Sequence, residues 1–252
     1  SNSECTVCDV ANTYLPTFLS WHIIFVSEPI NFIISFTGII GAIDGSYIPA
    51  RFRKELGHDY INRKKFKAVT LQATCTSKKI ITHIYAGASS RIHDARVLKL
   101  SKIWNIVQRR GKNYLFYNDN YHLIGDGAYG LKLWLLRPYK GPRANLTPSQ
   151  LNYNKRLSRC RVRVEHLFGL MKGRWQRLNY INTLKLPNIA KIVTACAVLH
   201  NFCYLRDDIM PHLLRREPRV EQNIDHLENP NEEEYAEAVA KMENIRQQLP
   251  HN

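Results

Sequence analysis

The chain has 252 residues, 44% of them hydrophobic, which is ordinary for a globular protein and leaves room for one good core and a small appendage. Lys and Arg outnumber Asp and Glu by 36 to 21, a net charge of +15. Residues 211–252 hold 5 basic and 9 acidic side chains, a net of −4, so residues 1–210 carry +19 and imply a polyanionic partner, most often nucleic acid.

Six cysteines, Cys5, Cys8, Cys75, Cys160, Cys196 and Cys203, do not form a disulfide framework, which favours a reducing compartment. Cys5 and Cys8 make a lone C-x-x-C without a second pair at zinc spacing. Residues 9–20 read as a short helix limited by Pro16. The apolar stretch 21–44 is broken by Glu28, Pro29 and Asn31 and lacks a basic leader, which excludes a membrane span or signal peptide there. Residues 38–44 read as a buried strand followed by a turn at Asp44-Gly45. Segments 67–76 and 80–87 read as a hairpin joined by Ser77, Lys78 and Lys79. Residues 93–110 have a helical period through Val97, Leu100, Trp104 and Val107, with Asp94 placed as N-cap.

Residues 121–130 predict a strand ending at Asp126 in a Gly-rich turn, and 133–139 another strand. Thr147 and Pro148 open a long helix whose core stripe is Leu157, Cys160, Val164, Leu167 and Met171, continuing to Leu178 after a gap near Arg174–Trp175. Glu165 lies at the edge of that stripe. An apolar helix follows Pro187, interrupted by His200 and Asn201, with His200 read as a hydrogen-bonded core histidine. A short amphipathic helix closes the chain. The order predicts a mixed α/β sheet with helices packed on it.

Three acids stand out. Asp44 and Asp126 each end an apolar strand-like run and each precede glycine. Glu165 is the sole acid between Asp126 and Asp207, a span with 15 Lys and Arg. Three converging carboxylates repel unless a cation holds them, and oxygen-only donors suit Mg²⁺ or Mn²⁺. Arg159, Arg161, Arg163, Lys172 and Arg174 would then bind the nucleic-acid backbone. The plainer alternative has both Asp-Gly pairs as turns and Glu165 paired with Arg161 one turn earlier. Residues 155–163 would serve either as a nuclear import signal or, on the proposed catalytic helix, as part of a DNA track. Trp134 and Trp175 read as core residues, with a DNA contact as the alternative for Trp175.

The motifs "GAIDGSYI" (41–48), "IHDARVL" (92–98), "IGDGAYGLKLWLLRPY" (124–139), "YNKRLSRCRVRVEHLFGLMKGRW" (153–175) and "AVLHNFCYL" (197–205) together resemble the PIF/Harbinger transposase family and its domesticated nucleases. The resemblance implies an RNase H-like α/β fold: a mixed sheet flanked by helices, with a helical C-terminal extension. It divides the chain into an N-terminal helical remnant (1–36) without a complete helix-turn-helix, a catalytic domain (37–206) and an acidic tail (207–252). It implies a metal-binding DDE triad of Asp44, Asp126 and Glu165, using Mg²⁺ or Mn²⁺ to hydrolyse DNA phosphodiesters. Asp94 would cap a helix or support that site. Ser46-Tyr47 stands where Thr-His is usual, Ala128 where Gly is common, and Leu157 where His is frequent. The implied partners are DNA and a Myb-like accessory protein, without a membrane and with oligomerisation left open. The implied location is the nucleus, with the cytoplasm also open. The competing reading is a domesticated, catalytically silent protein that binds DNA or protein.

Overall fold

The computed structural model describes residues 36–210, 212 and 231–250. The helix expected over 9–20, and Cys5 and Cys8, lie outside them. Strands β1 (Ile39–Pro49), β2 (Ala68–Cys75), β3 (Ile81–Ser89), β4 (His122–Ile124) and β5 (Leu135–Leu136) form one sheet in the order β3-β2-β1-β4-β5. β1, β2 and β3 run antiparallel in sequence, whereas β4 pairs parallel with β1 and β5 parallel with β4. This is the RNase H-like arrangement, a mixed sheet flanked by helices.

Each face of the sheet carries its own core. On one face, Ile43, Leu98, Ile103, Leu123, Tyr129 and Trp134 pack beneath helices α1 (Asp94–Leu100), α2 (Lys102–Arg110) and α3 (Asn113–Phe116). The opposite face buries Ala42, Ile48, Leu71 and Ile84 against α4 (Pro148–Arg174), α5 (Leu186–Leu205) and α6 (Glu232–Gln248). Alternation along β1 divides its side chains between the two layers, since successive strand residues point to opposite faces.

Local chemistry sets the long helix. The Thr147 hydroxyl accepts the Gln150 N–H at 3.3 Å while the Gln150 side chain accepts the Thr147 N–H at 3.0 Å, a complete capping box with Pro148 at the first turn. The stripe Leu157, Cys160, Val164, Leu167 and Met171 is buried as expected. The gap near Arg174 is the helix end, after which a 3₁₀ turn, Gln176–Asn179, brings Leu178 back to the core.

α5 is long and apolar enough to cross a membrane by length and composition, but Ile189, Val193 and Ala197 are buried in the main core. Asn201 locks the helix to β3, accepting the Ile81 N–H and donating to the Ile81 carbonyl, both at 2.8 Å. His200 Nε2 lies 3.0 Å from the Lys79 carbonyl, and burial lowers its pKa to about 4, so it is the neutral core histidine expected. Trp134 is buried and Trp175 packs on the core with Arg174 over its ring. α6 buries Ala238, Met242 and Ile245, and its Lys241 ammonium donates to the Leu133 carbonyl at 2.7 Å and the Tyr121 carbonyl at 3.4 Å.

Three local expectations are corrected. The Asp44-Gly45 pair is not a turn: β1 runs on to Pro49, with Asp44 paired to Ala73. The helix expected over 93–110 is two helices, broken at Ser101, whose hydroxyl accepts the Trp104 N–H and restarts the helix; Leu100 is left exposed. Asp94 is not the N-cap. His93 holds that position, and Asp94 is the first helical residue, 4% exposed against the sheet.

Candidate active site

Asp44 lies in mid-β1, on the side of the sheet that faces α4. Because Ala42 pairs with Ile124, the end of β4 brings Asp126 level with Asp44. The Asp126 turn is self-stabilised: Asp126 Oδ1 accepts the Ala128 N–H at 2.9 Å and its carbonyl accepts the Tyr129 N–H at 3.3 Å. That is the hydrogen-bonding habit of an aspartate opening a turn, so the simple turn reading holds for Asp126 and fails for Asp44.

α4 supplies the third side. Arg161, Glu165 and Lys172 recur at four and seven residues and therefore share one helical face. Arg161 Nη2 lies 3.2 Å from Asp44 Oδ2. Lys172 Nζ donates to Ser46 Oγ and to the Tyr47 carbonyl, each at 2.8 Å. The two contacts pin α4 along β1 and set Glu165 between them.

The electrostatics of Asp44 report the gathering of charge. Burial is the largest cause raising its carboxyl, and Arg161 opposes it. The charges of Asp126 and Glu165 raise it further, against the Gly45 N–H bond at 2.9 Å, and the result is a pKa of about 7. The charges of Asp126 and Glu165 therefore both reach Asp44 across the β1–α4 face. The Asp44 and Arg161 side chains are both 16% exposed, so their attraction is weakly screened. Lys140, in the segment after β5, also lies in the field of Asp126; burial and Arg137 lower its pKa while Asp126 raises it.

Asp44, Asp126 and Glu165 suit a hard divalent cation by donor chemistry, since all three offer carboxylate oxygens. Among the described residues no group of three or more His, Cys, Asp or Glu side chains is placed to hold a metal ion, so the three carboxylates are not gathered into a cation site in this arrangement. The guanidinium of Arg161 stands against one Asp44 oxygen instead.

The other basic residues singled out from sequence occupy different settings. Arg159 is exposed and Arg163 partly so. Arg161 and Lys172 turn inward onto β1, and Arg174 is bonded to Asp208, its Nη1 donating to the Asp208 carbonyl at 2.7 Å. Neither Gln72 nor Tyr129 was expected at the site from sequence, and Ser46 stood out only as a departure from the family pattern. Gln72 donates to Tyr129 beneath the two aspartates, and Ser46 receives Lys172. Tyr129 stood within the quoted "GDGAYG" motif, whereas Gln72 gave no local signal beyond an amide in an apolar strand.

A sequence profile described as DDE superfamily endonuclease matches residues 43–201. Among curated proteins, the chain is 27% identical over 158 residues to "Protein ALP1-like" of Arabidopsis thaliana, covering 59% of this chain and 38% of that protein. It is 24% identical over 167 residues to "Putative nuclease HARBI1" of Rattus norvegicus, covering 65% and 45%, and 21% identical over 206 residues to the Xenopus laevis protein of the same name, covering 79% and 56%. The chain thus spans about half the length of these relatives or less. No solved structure matches.

Proposed function

This chain belongs to the DDE superfamily endonucleases, and from that premise we propose that it is a divalent-metal-dependent DNA endonuclease of PIF/Harbinger transposase origin. The observation that carries the reading is that the charges of Asp126, in the β4 turn, and Glu165, on α4, both act on Asp44 in β1, all three within the matched domain. These residues would hold Mg²⁺ or Mn²⁺, which supplies Lewis-acid stabilisation of the phosphodiester and an activated water.

The chain's own residues do the rest. Asp126 is fixed by its turn, so its orientation needs no ordering when substrate arrives. Lys172 and the Thr147–Gln150 box hold α4 in place and with it Glu165. With a divalent cation held at Asp44, the Arg161 guanidinium would be freed from that carboxylate to meet a backbone phosphate. Arg159 and Arg163, on the same helix, extend the phosphate contacts outward. Chain division into a catalytic domain at 37–206 with flanking segments, a nuclear location, and DNA and a Myb-like accessory protein as partners belong to the same proposal.

The purified chain should nick DNA with Mg²⁺ or Mn²⁺, and Asp126→Asn should lose at least a hundredfold of that activity. Equal cutting by both proteins would remove Asp126 from the mechanism. The Arg161–Asp44 ion pair favours a second reading, a domesticated binding protein whose former metal site is bridged by its own arginine. DNA binding with steep salt dependence, and no cutting with any divalent ion, would select it.

A further inference from the structure

Two glycines flank the site acids, Gly45 directly after Asp44 and Gly125 directly before Asp126. Neither has room for a side chain. A Cβ at Gly45 would stand 2.4 Å from Asp94 Oδ1, and one at Gly125 would stand 2.6 Å from the Tyr129 ring. Asp94 and Tyr129 therefore press on the backbone beside each acid, from the face opposite α4. Both are buried, at 4% and 0% exposure.

Gln72 joins these two props. It sits opposite Gly45 in the β1–β2 ladder and is fully buried. Its Nε2 donates to the Asp94 carbonyl at 3.0 Å and to the Tyr129 hydroxyl at 3.1 Å. Tyr129 in turn donates its N–H to the Asp126 carbonyl at 3.3 Å, and its own carbonyl receives Arg137 Nη1 at 3.2 Å. The path from β2 to the Asp126 turn is thus one side chain and one ring long.

The amide carries a cost as well as its two bonds. Burying a polar group is costly unless it is bonded, and Gln72 Oε1 has no hydrogen-bond partner. A methionine of similar length would remove that stranded oxygen, but it would take away the donor that the Tyr129 hydroxyl and the Asp94 carbonyl now share.

We propose that Gln72 is a positioning residue, the tie that fixes the Asp126 turn against β1 and so sets the spacing between Asp126 and Asp44. Tyr129 is the arm through which it acts. The inference rests on the metal-site reading for its purpose, but the tie itself exists in the metal-free protein and is tested there.

The experiment is amide hydrogen exchange on the full metal-free chain, comparing wild type with Gln72→Met, Tyr129→Phe and the double variant. The segment 125–130 should exchange at least tenfold faster in each single variant, while β3 (81–89) keeps its wild-type rate. Over 125–130 the double variant should match Gln72→Met, because the bond that Tyr129→Phe cuts is already lost there. Unchanged exchange over 125–130 in Tyr129→Phe overturns the proposal, as does a rise spread evenly over the chain. If Gln72→Met fails to fold, Tyr129→Phe, which loses a single hydroxyl, still decides. Mn²⁺ affinity, measured by calorimetry on the same proteins, should fall about tenfold or more in the variants. A wild-type chain that binds no Mn²⁺ refutes the proposed function and leaves the exchange result standing.

Discussion

Replacing Asp44 with Asn should make the metal-free protein more stable at neutral and alkaline pH. The Asp44 carboxyl is raised from an ordinary 3.8 to about 7, chiefly by burial. Between those values the folded chain binds a proton that the unfolded chain has released, so stability falls as pH rises through this window and levels off above about pH 7. A tenfold change in proton affinity is worth about 1.4 kcal/mol, which puts the cost of ionised Asp44 at no more than about 4 kcal/mol. The Asn side chain leaves Arg161 without its carboxylate, and local relaxation softens the field, so a net gain of about 1–3 kcal/mol is expected at pH 8. For a protein of this size that is roughly 2–10 °C in Tm. Thermal unfolding of wild type and Asp44→Asn in chelator, from pH 4 to pH 8, reads the effect. The two melting curves should converge near pH 4 and separate steadily toward pH 7. A variant less stable than wild type at pH 8, or a difference that ignores pH, would refute the account of a strained, charge-crowded carboxylate.

Asn201→Ala strips both bonds from the Ile81 backbone in a buried position and should cost about 2–4 kcal/mol in urea unfolding, since each stranded group carries its desolvation penalty. Lys241 is held down to about 8, mainly by burial, so the unfolded chain binds the extra proton above pH 8 and stability should rise from there toward pH 10.5. Lys241→Met should abolish that rise in urea midpoints collected across the same range. Charge removal at the outer face of α4, Arg159→Ser with Arg163→Ser, should weaken DNA binding and flatten its dependence on salt by about one unit of log–log slope for each phosphate no longer neutralised.

Features governed by short-range chemistry were legible in the sequence. The Thr147 box and the 157–171 stripe follow from capping and periodicity, and both stand in the structure. The β2–β3 hairpin did too, with Lys79 in the left-handed region at φ 61° in its turn. Ser101 was a readable signal passed over, a hydroxyl three residues before a main-chain N–H it could cap. Asp44-Gly45 misled because an Asp-Gly pair usually marks a turn, whereas Gly45 is required by Asp94, about fifty residues away, which fills its missing side-chain volume. The pairing of Arg161 with Asp44 was equally hidden, since it spans 117 residues and depends on how α4 lies over β1. Tertiary contacts of this kind leave no periodic or local trace.

The central claim is that Asp44, Asp126 and Glu165 form one divalent-cation site. Crystals of the chain soaked in Mn²⁺ and measured by anomalous scattering test it most directly. The account predicts Mn²⁺ signal among these three carboxylates, with Arg161 moved off Asp44. Ordered crystals in which Arg161 still holds Asp44 at millimolar Mn²⁺, with the metal absent or bound elsewhere, would contradict it.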